Sequence, residues 1–542
     1  MILRETYRYG FDCRKMTDRL YTDTLIIGAG SAGCVIANRL SANSHHQVTL
    51  VEAGGKDSWH WIHIPVGYLY TMGNPKTDWC YSTTPQQGLN GRSLAYPRGR
   101  VLGGCSSING MIYMRGQKDD YESWGEGWSW EDVLTYYKKS ENYHRGADDY
   151  HSDQGEMLVQ EQRLKWEVLE TFKKVCEESG FNDKPDFNRG DNSGVGYFEV
   201  TQKKGVRWSS ARAFLHPVTH RPNLRVMTKT LTERLIFEGN RCIGMEGTCR
   251  GNPVSIQAKR VVLAAGAVGS PSLLERSGIG SESVLKPLSI PIRNRLEGVG
   301  KNLQDHLQVR LQYRLEASET LNQQASSWLG RMKMGLQYAY NQSGPLSMAP
   351  SQLGAFFKSG DDVDRADLEF HIQPMSADKL GTDLHPFPGM TASVCHLRPE
   401  SRGTTHISGT KASDAPIINP NYLSETYDRE VVCRAIKKTR DLMDHPLLAK
   451  FSPSEHKPGR TQKTDHDLVT AAGDVATTIF HPVGTAKMGP DTDDYAVVSR
   501  KLGVYGIRDL YIADASIIPR ITSGNTHAPV VMIAERLSEW LD

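Results

Sequence analysis

Apolar and polar residues follow two different rhythms along this chain. Thr24-Leu25-Ile26-Ile27 is a short apolar and β-branched run without alternation, the pattern of a parallel strand buried on both faces. Glycines follow at once in Gly28-Ala29-Gly30-Ser31-Ala32-Gly33, and from Ser31 to Leu40 the apolar residues take helical spacing. Val48-Thr49-Leu50-Val51 gives a second strand that ends at Glu52. Strand–helix units of this kind occupy 22–60, 225–280 and 505–542. In the last of them Val530, Val531, Ile533, Ala534, Leu537, Trp540 and Leu541 trace one face of a helix predicted over 529–541, with Pro529 suited to its first turn. Between the units, 308–314, 367–373 and 391–397 alternate as strands do. The interleaving predicts a discontinuous α/β chain.

The first glycines carry chemistry. Gly28 permits a tight turn, Gly30 a close approach of backbone to a pyrophosphate, and Gly33 close packing of helix on strand. The helix then begins at Ser31 and Ala32, with unsatisfied N–H groups aimed at phosphate. Glu52 stands 19 residues after Gly33, with Ala53 next, where a carboxylate accepts hydrogen bonds from ribose hydroxyls and disfavours a 2′-phosphate. A glycine-rich turn without a ligand is the plainer alternative. Strand, helix, second strand and acid in this order favour a dinucleotide.

Size and composition narrow the class. A chain of 542 residues exceeds what one core holds, so two or more domains are expected. The net charge of +2 carries no footprint of nucleic-acid binding, and Arg98-Gly99-Arg100 or Arg434-Ala435-Ile436-Lys437-Lys438 read as solvated faces. Nine cysteines without a CxxC pair or zinc-ligand spacing predict reduced thiols and no metal site. No apolar run reaches about 18 residues, and the first 15 residues lack the apolar centre of a signal peptide. A cytoplasmic protein is expected, and peripheral attachment to the inner face of a membrane stays open because it leaves no obligatory mark. Residues 1–17 read as an extension, compatible with translation from Met1 or Met16. Monomer and homodimer are equally compatible with the sequence.

Later segments make the reading specific. Gly99 to Gly110 is a second glycine–serine loop, Val261 to Gly280 a strand–turn–helix, and Gly298 to His306 a further glycine-containing stretch. With His481-Pro482 and Asn525, these segments resemble the glucose–methanol–choline (GMC) oxidoreductase family of flavoproteins from about Thr22 to the C-terminus. The runs 84–93 and 205–214 resemble its bacterial choline and aliphatic-alcohol dehydrogenases.

The resemblance implies a Rossmann-like FAD domain in three pieces, 18–155, 205–306 and 475–542. A substrate domain of α+β type on an antiparallel sheet, 156–204 and 307–474, would be interleaved with it. It implies that the first cradle holds the ADP half of FAD and that Glu52 binds its adenosine ribose. The loop contributing Arg100, Leu102, Gly103, Ser106, Asn109, Gly110, Met111 and Ile112 would run beside flavin and pyrophosphate. Thr232 would meet the adenine through its backbone, Ala265 and Gly266 would line the same half, and Asp514 and Ala515 would approach the ribityl and pyrophosphate. Thr526 and Ala528 would bring the N-terminus of the last helix to the flavin, easing hydride acceptance by its dipole. Some relatives link flavin covalently through a His where this chain has Ile108, so its FAD is expected to be noncovalent.

An alcohol that gives its α-hydrogen to flavin N5 as hydride must lose its hydroxyl proton to a base. His481 has the pKa range for this and sits in the family's histidine–proline motif. Asn525 matches the second catalytic position, where a neutral amide orients the substrate oxygen. His527 either faces the active site or caps the last helix, Ile479 is a candidate wall residue, and His306, His60 and His63 read as structural. The expected activity is oxidation of an alcohol to an aldehyde or ketone, with electrons passed to a quinone-type acceptor. An oxidase using O₂, an FAD-containing lyase and a non-catalytic flavoprotein stay open beside it. Trp61, Trp79 and Tyr68 are candidates for an aromatic choline site, and the alcohol itself is not fixed by the sequence.

Overall fold

The computed structural model describes residues 20–316, 318–378 and 383–542. The extension 1–17 and the choice of start codon lie outside the described residues. The first predicted strand runs over Leu20–Ile27 and pairs in parallel with Val48–Glu52 on one side and Asn252–Leu263 on the other. The sheet order is Leu224–Thr228, Val48–Glu52, Leu20–Ile27, Asn252–Leu263, Arg241–Cys249, Thr230–Glu238, with Leu510–Ile512 added in parallel at Val261–Leu263. Leu25, Ile26, Leu50 and Val261 are fully buried, as a parallel sheet covered on both faces requires. The single strand segment expected near 225–237 is two strands, broken where Lys229 adopts φ 57°. That left-handed residue takes the chain from the parallel edge into the antiparallel pair.

The helices Ser31–Leu40 and His527–Leu541 pack on each other against this sheet. Gly33 makes the first approach possible, since a Cβ there would lie 1.9 Å from the Gly28 carbonyl oxygen. Arg39 fixes the two helices by reaching the buried Glu535 (2.6 Å) as well as Glu156.

The second sheet is antiparallel throughout, in the order Ser454–Lys457, Leu307–Arg314, Gly389–His396, Leu368–Gln373, Leu353–Phe357, Gly194–Tyr197. Its three longest alternating strands match the predicted ones within two residues. Val309, Leu311, Val394 and Phe370 on one face pack with Val431 and Ile436 of the helix Thr426–Met443. The opposite face is polar and equally buried. Register places Gln308, Cys395 and Glu369 in one row, Arg310, Ser393 and His371 in the next, and Gln312, Thr391 and Gln373 in the third. The large apolar core accordingly has two centres, one around each sheet. Cys249 is disulfide-bonded, which corrects the expectation that all nine thiols are reduced.

Candidate functional site

A cavity of about 320 Å³ lies between the C-terminal ends of the parallel strands and the polar face of the second sheet. Ile27, Glu52 and Asp514 line it from the first side, Gln308, His371 and Gln373 from the second.

The glycine cradle forms one end. Gly28, Gly30, Ser31, Ala32 and Ala53 line the cavity, whereas Gly33 serves the packing described above. Gly28 has φ +104°, and a Cβ there would sit 2.5 Å from the Ala264 carbonyl oxygen. A Cβ on Gly104 would come within 2.7 Å of the Gly30 Cα, so two glycine backbones meet at the floor. Glu52 is buried, and its carboxylate accepts from the N–H groups of Ala29 (3.0 Å) and Gly54 (2.7 Å). Burial pushes its pKa up to about 7, against the pull of those two hydrogen bonds. Thr232, with Thr230 and Leu231 beside it, lines the same end.

The second glycine loop is split between lining and support. Asn109, Gly110, Met111 and Ile112 line the cavity, as do Cys105 and Ile108. Asn109 Oδ1 accepts from the Met111 N–H (3.0 Å) and from Arg207 Nη1 (2.8 Å), which holds the loop in shape. Arg100, Leu102, Gly103 and Ser106 stand behind that lining. Arg100 lies 4.7 Å over the Trp79 ring, Leu102 donates to Gly55, Gly103 donates to Ala29, and the Ser106 hydroxyl donates to Gly103.

Ala265, Gly266, Asp514 and Ala515 line the adjoining wall. The Asp514 side chain is committed to structure: it accepts from the Gly266 N–H (2.8 Å), the Ser270 hydroxyl (2.5 Å), and the Ser516 N–H and hydroxyl. The first two of these donors bind the end of the strand Leu510–Ile512 to the start of the helix Gly266–Arg276, and the two from Ser516 fix the turn after Asp514. Burial raises the Asp514 pKa against these bonds.

Thr526 and His527 bring the N-terminus of the last helix to the cavity, with Ala528 buried within that helix. His527 Nδ1 lies 3.0 Å from Ser31 Oγ, so this residue ties the last helix to the cradle helix. Burial lowers its pKa to about 4, and the ring is neutral.

His481 and Asn525 meet across the cavity, 44 residues apart in sequence. Their arrangement fixes the tautomers of a chain of three groups. The His306 Nε2–H donates to the Leu397 carbonyl (2.9 Å), which leaves His306 Nδ1 as an acceptor. His481 Nδ1–H donates to that atom (3.1 Å), which leaves His481 Nε2 with its lone pair. The Asn525 amide N–H donates to Nε2 (3.0 Å). Burial, together with His306, His371 and Arg98, holds the His481 pKa well below the ordinary 6.5, so the ring is neutral at neutral pH. Ile479 lines the cavity beside it and donates its N–H to the His306 carbonyl.

Two residues read as structural, or not singled out, prove to shape this centre. Asp305 accepts the His481 N–H (2.8 Å) and the hydroxyls of Thr478, Tyr422 and Tyr96. His306 sets the His481 tautomer. Their adjacency in Asn302-Leu303-Gln304-Asp305-His306 was the available signal. The polar sheet face also brings Glu369, His371 and Cys395 together, with one ligand atom of each within 4.8 Å of the others, a grouping able to hold a metal ion.

Four cavity-lining side chains keep a buried polar atom without a hydrogen-bond partner: Asn525 Oδ1, His527 Nε2, Thr230 Oγ1 and His371 Nε2. Orphaned atoms at a wall made of glycine turns and two helix N-termini fit a large polar ligand such as FAD.

Comparison with known proteins agrees with this geometry. The model of the N-terminal domain described as GMC oxidoreductase matches residues 22–308, and that of the C-terminal domain matches 399–534. The alcohol dehydrogenase (acceptor) of Pseudomonas putida is 39% identical over 526 residues, covering 95% of each chain. The mitochondrial choline dehydrogenase of Homo sapiens is 36% identical over 528 residues, covering 95% of this chain and 89% of that one. Among solved structures, pyridoxine 4-oxidase from Mesorbium loti superposes with a TM-score of 0.87 at 28% identity, covering 96% of this chain and 99% of that one.

Proposed function

Because the chain belongs to the GMC oxidoreductase family and is thereby an FAD-dependent oxidoreductase acting on CH–OH donors, we propose that it oxidises an uncharged alcohol to an aldehyde or ketone and passes the electrons to a quinone-type acceptor. Bound FAD supplies a two-electron hydride acceptor. The cradle residues Gly28, Gly30, Ser31 and Glu52 would hold its adenosine and pyrophosphate, and Asn109, Gly110, Thr526 and His527 the other half.

The observation that carries the reading is the lone pair of His481 Nε2 at the cavity wall. It takes the hydroxyl proton as the carbon–hydrogen bond is lost, and the Asn525 amide orients the same oxygen. His306 acts through His481 as a positioning residue, keeping the base in its acceptor tautomer. The name of the Pseudomonas putida relative, alcohol dehydrogenase (acceptor), supports transfer of the electrons to a separate acceptor, and the quinone class is part of this proposal.

The electrostatics favour a neutral substrate over a cation such as choline. Among the described residues, the carboxylates lining the cavity are Glu52 and Asp514, in the cradle, and Asp414, on the side of Arg276. None of these three stands with Gln308, His371 and Gln373, where the one neighbouring carboxylate among the described residues, Glu369, is buried behind the lining with an oxygen 3.2 Å from His371 Nε2. On the same sheet face Arg310 is buried, with no hydrogen-bond or ion-pair partner among the described residues. Its guanidinium, on which Asp378 acts only through space, repels a trimethylammonium group at this face. Anaerobic mixing with primary alcohols should bleach the flavin, a quinone analogue should restore its colour, and choline should bleach it at least about 10-fold more slowly, the effect of one uncompensated like charge. Bleaching by choline at the rate of the best alcohol would reject the neutral-substrate reading, and no bleaching by any alcohol would reject the activity.

Ile108 lines the cavity and offers no nucleophile, which supports noncovalent FAD. Acid precipitation should therefore release all the yellow colour to the supernatant; flavin retained in the pellet would locate a covalent link elsewhere. The same reading assigns 18–155, 205–306 and 475–542 to FAD binding and 156–204 and 307–474 to the substrate. Met157 and Val159 pack with the core of the first sheet, which supports moving the first boundary to about 159.

A further inference from the structure

The helix Trp328–Asn341 is attached to the protein by little of its surface. Met334 and Tyr338 are its buried residues, and the Tyr338 hydroxyl donates to the Gly205 carbonyl (3.0 Å). Its other apolar residues face outward: Trp328, Leu329, Met332, Leu336 and Tyr340 are between 47% and 92% exposed. At about 100° per residue they fall within an arc of about 120°, on the side away from Met334 and Tyr338. Single exposed apolar residues are ordinary on a protein surface, but a continuous stripe along one helix marks an interaction site.

The stripe has a charge pattern of its own. Arg331 flanks it on one side and Lys333 on the other, both exposed. No Asp or Glu occurs between Glu319 and Asp361. Its aromatic members are Trp and Tyr, side chains with an apolar body and a polar tip suited to the boundary between headgroups and acyl chains. The chain leaves the helix through the turn Pro345–Ser347 and reaches Pro350 and Ser351, which line the cavity. That turn packs on Pro65–Gly67, immediately before Tyr68–Thr71, where Tyr68 lines the cavity and Tyr70 is exposed.

We propose that the outer face of the helix Trp328–Asn341 docks the protein on an anionic lipid bilayer, with Trp328, Leu329, Met332, Leu336 and Tyr340 entering the interface and Arg331 and Lys333 meeting lipid phosphates. The helix lies in the plane of the surface, since no helix among the described residues is long and apolar enough to cross a membrane. A second copy of the chain is the poorer occupant. A two-fold contact through this face would set Arg331 and Lys333 of each copy against those of the other with no carboxylate on the helix to balance them. Docking here brings the Pro350 and Tyr68 side of the cavity close to the bilayer, where a lipophilic quinone is dissolved. That consequence rests on the acceptor proposed above, whereas the docking itself does not.

The test is flotation of the FAD-loaded protein with vesicles of phosphatidylcholine, alone or mixed with phosphatidylglycerol, in the absence of substrate. Wild-type protein should float with the mixed vesicles and far less with the neutral ones. The exposed double variant W328S/L336S should lose binding to mixed vesicles by about 10-fold or more, and R331E/K333E should lose the preference for anionic lipid. Flavin content and dye-linked turnover of a soluble alcohol should be unchanged in both, because neither pair touches the cavity. Vesicle binding that is equal in wild type and W328S/L336S would overturn the proposal. So would a wild-type dimer that fails to float and that W328S/L336S converts to monomer, since the occupant would then be a second copy. Failure to oxidise alcohol leaves the flotation result standing, so the two readings fail separately.

Discussion

Replacing His481 by Ala slows anaerobic flavin reduction by an alcohol by at least about 10²-fold while FAD stays bound, the usual scale of lost general-base catalysis. The direction of the imidazole's Nε2 lone pair is set by two successive hydrogen bonds, from His481 to His306 and from His306 to the Leu397 carbonyl. That lone pair accepts from the Asn525 amide, whose place the substrate hydroxyl takes in the proposed reaction. Asn525→Ala should slow the same step less, because it removes an orienting amide and leaves the proton acceptor. The pH dependence has a definite sign. In the proposed mechanism neutral imidazole is the active form, and burial in the folded protein holds the His481 pKa well below 6.5. The wild-type rate is therefore flat through neutral pH and falls only as acid protonates His481, with its inflection below the ordinary histidine value. Stopped-flow reduction across pH checks both points. A His481→Ala enzyme with the wild-type rate and pH profile would remove His481 from the mechanism, and His527, also neutral and with a free Nε2, would be the next candidate.

The Gly28→Ala variant should be purified largely without flavin. Its Cβ would fall 2.5 Å from the Ala264 carbonyl oxygen and 2.8 Å from the carbonyl carbon, and both are backbone atoms that cannot swing aside. The residue also sits at φ +104°, where an L side chain is strained. Relief requires the turn to leave the floor of the cradle. A displacement costing about 3 kcal/mol weakens FAD by about 10²-fold. The absorbance ratio of flavin to protein after gel filtration, with circular dichroism to confirm the fold, reads this directly. Full flavin occupancy in Gly28→Ala would mean that the cradle is not where the dinucleotide binds.

Much of the cradle was legible because it is local. The run Thr24 to Leu40 specifies a strand, a glycine turn and a helix through contacts no more than a few residues apart, and Glu52 follows at the end of the next strand. The last helix was visible from its apolar period, and its observed start at His527 lies two residues before the predicted one. The break at Lys229 was not visible, since a left-handed Lys in the middle of a strand-like run is imposed by its neighbours: its N–H donates to the Gly54 carbonyl, across the sheet.

The class of ligand and the cradle that serves it were therefore legible in the sequence by itself, because a strand, a glycine turn and a helix form a local pattern, whereas His481 came forward as candidate base only through its resemblance to the family's histidine–proline motif. Only the tertiary structure decided the rest. His306 and His481 are 175 residues apart, and no periodicity relates them, so the direction of the His481 lone pair exists only once strand register brings the rings together. The polar wall of Gln308, His371 and Gln373 comes from alternating strands that could have turned that face to water; burial beneath the first sheet's strand ends made it the lining of a cavity. Likewise the apolar residues of the helix Trp328–Asn341 could have belonged to a core. Packing of Met334 and Tyr338 inward left Trp328, Leu336 and Tyr340 outside, because a helix has two sides and the fold covers one of them.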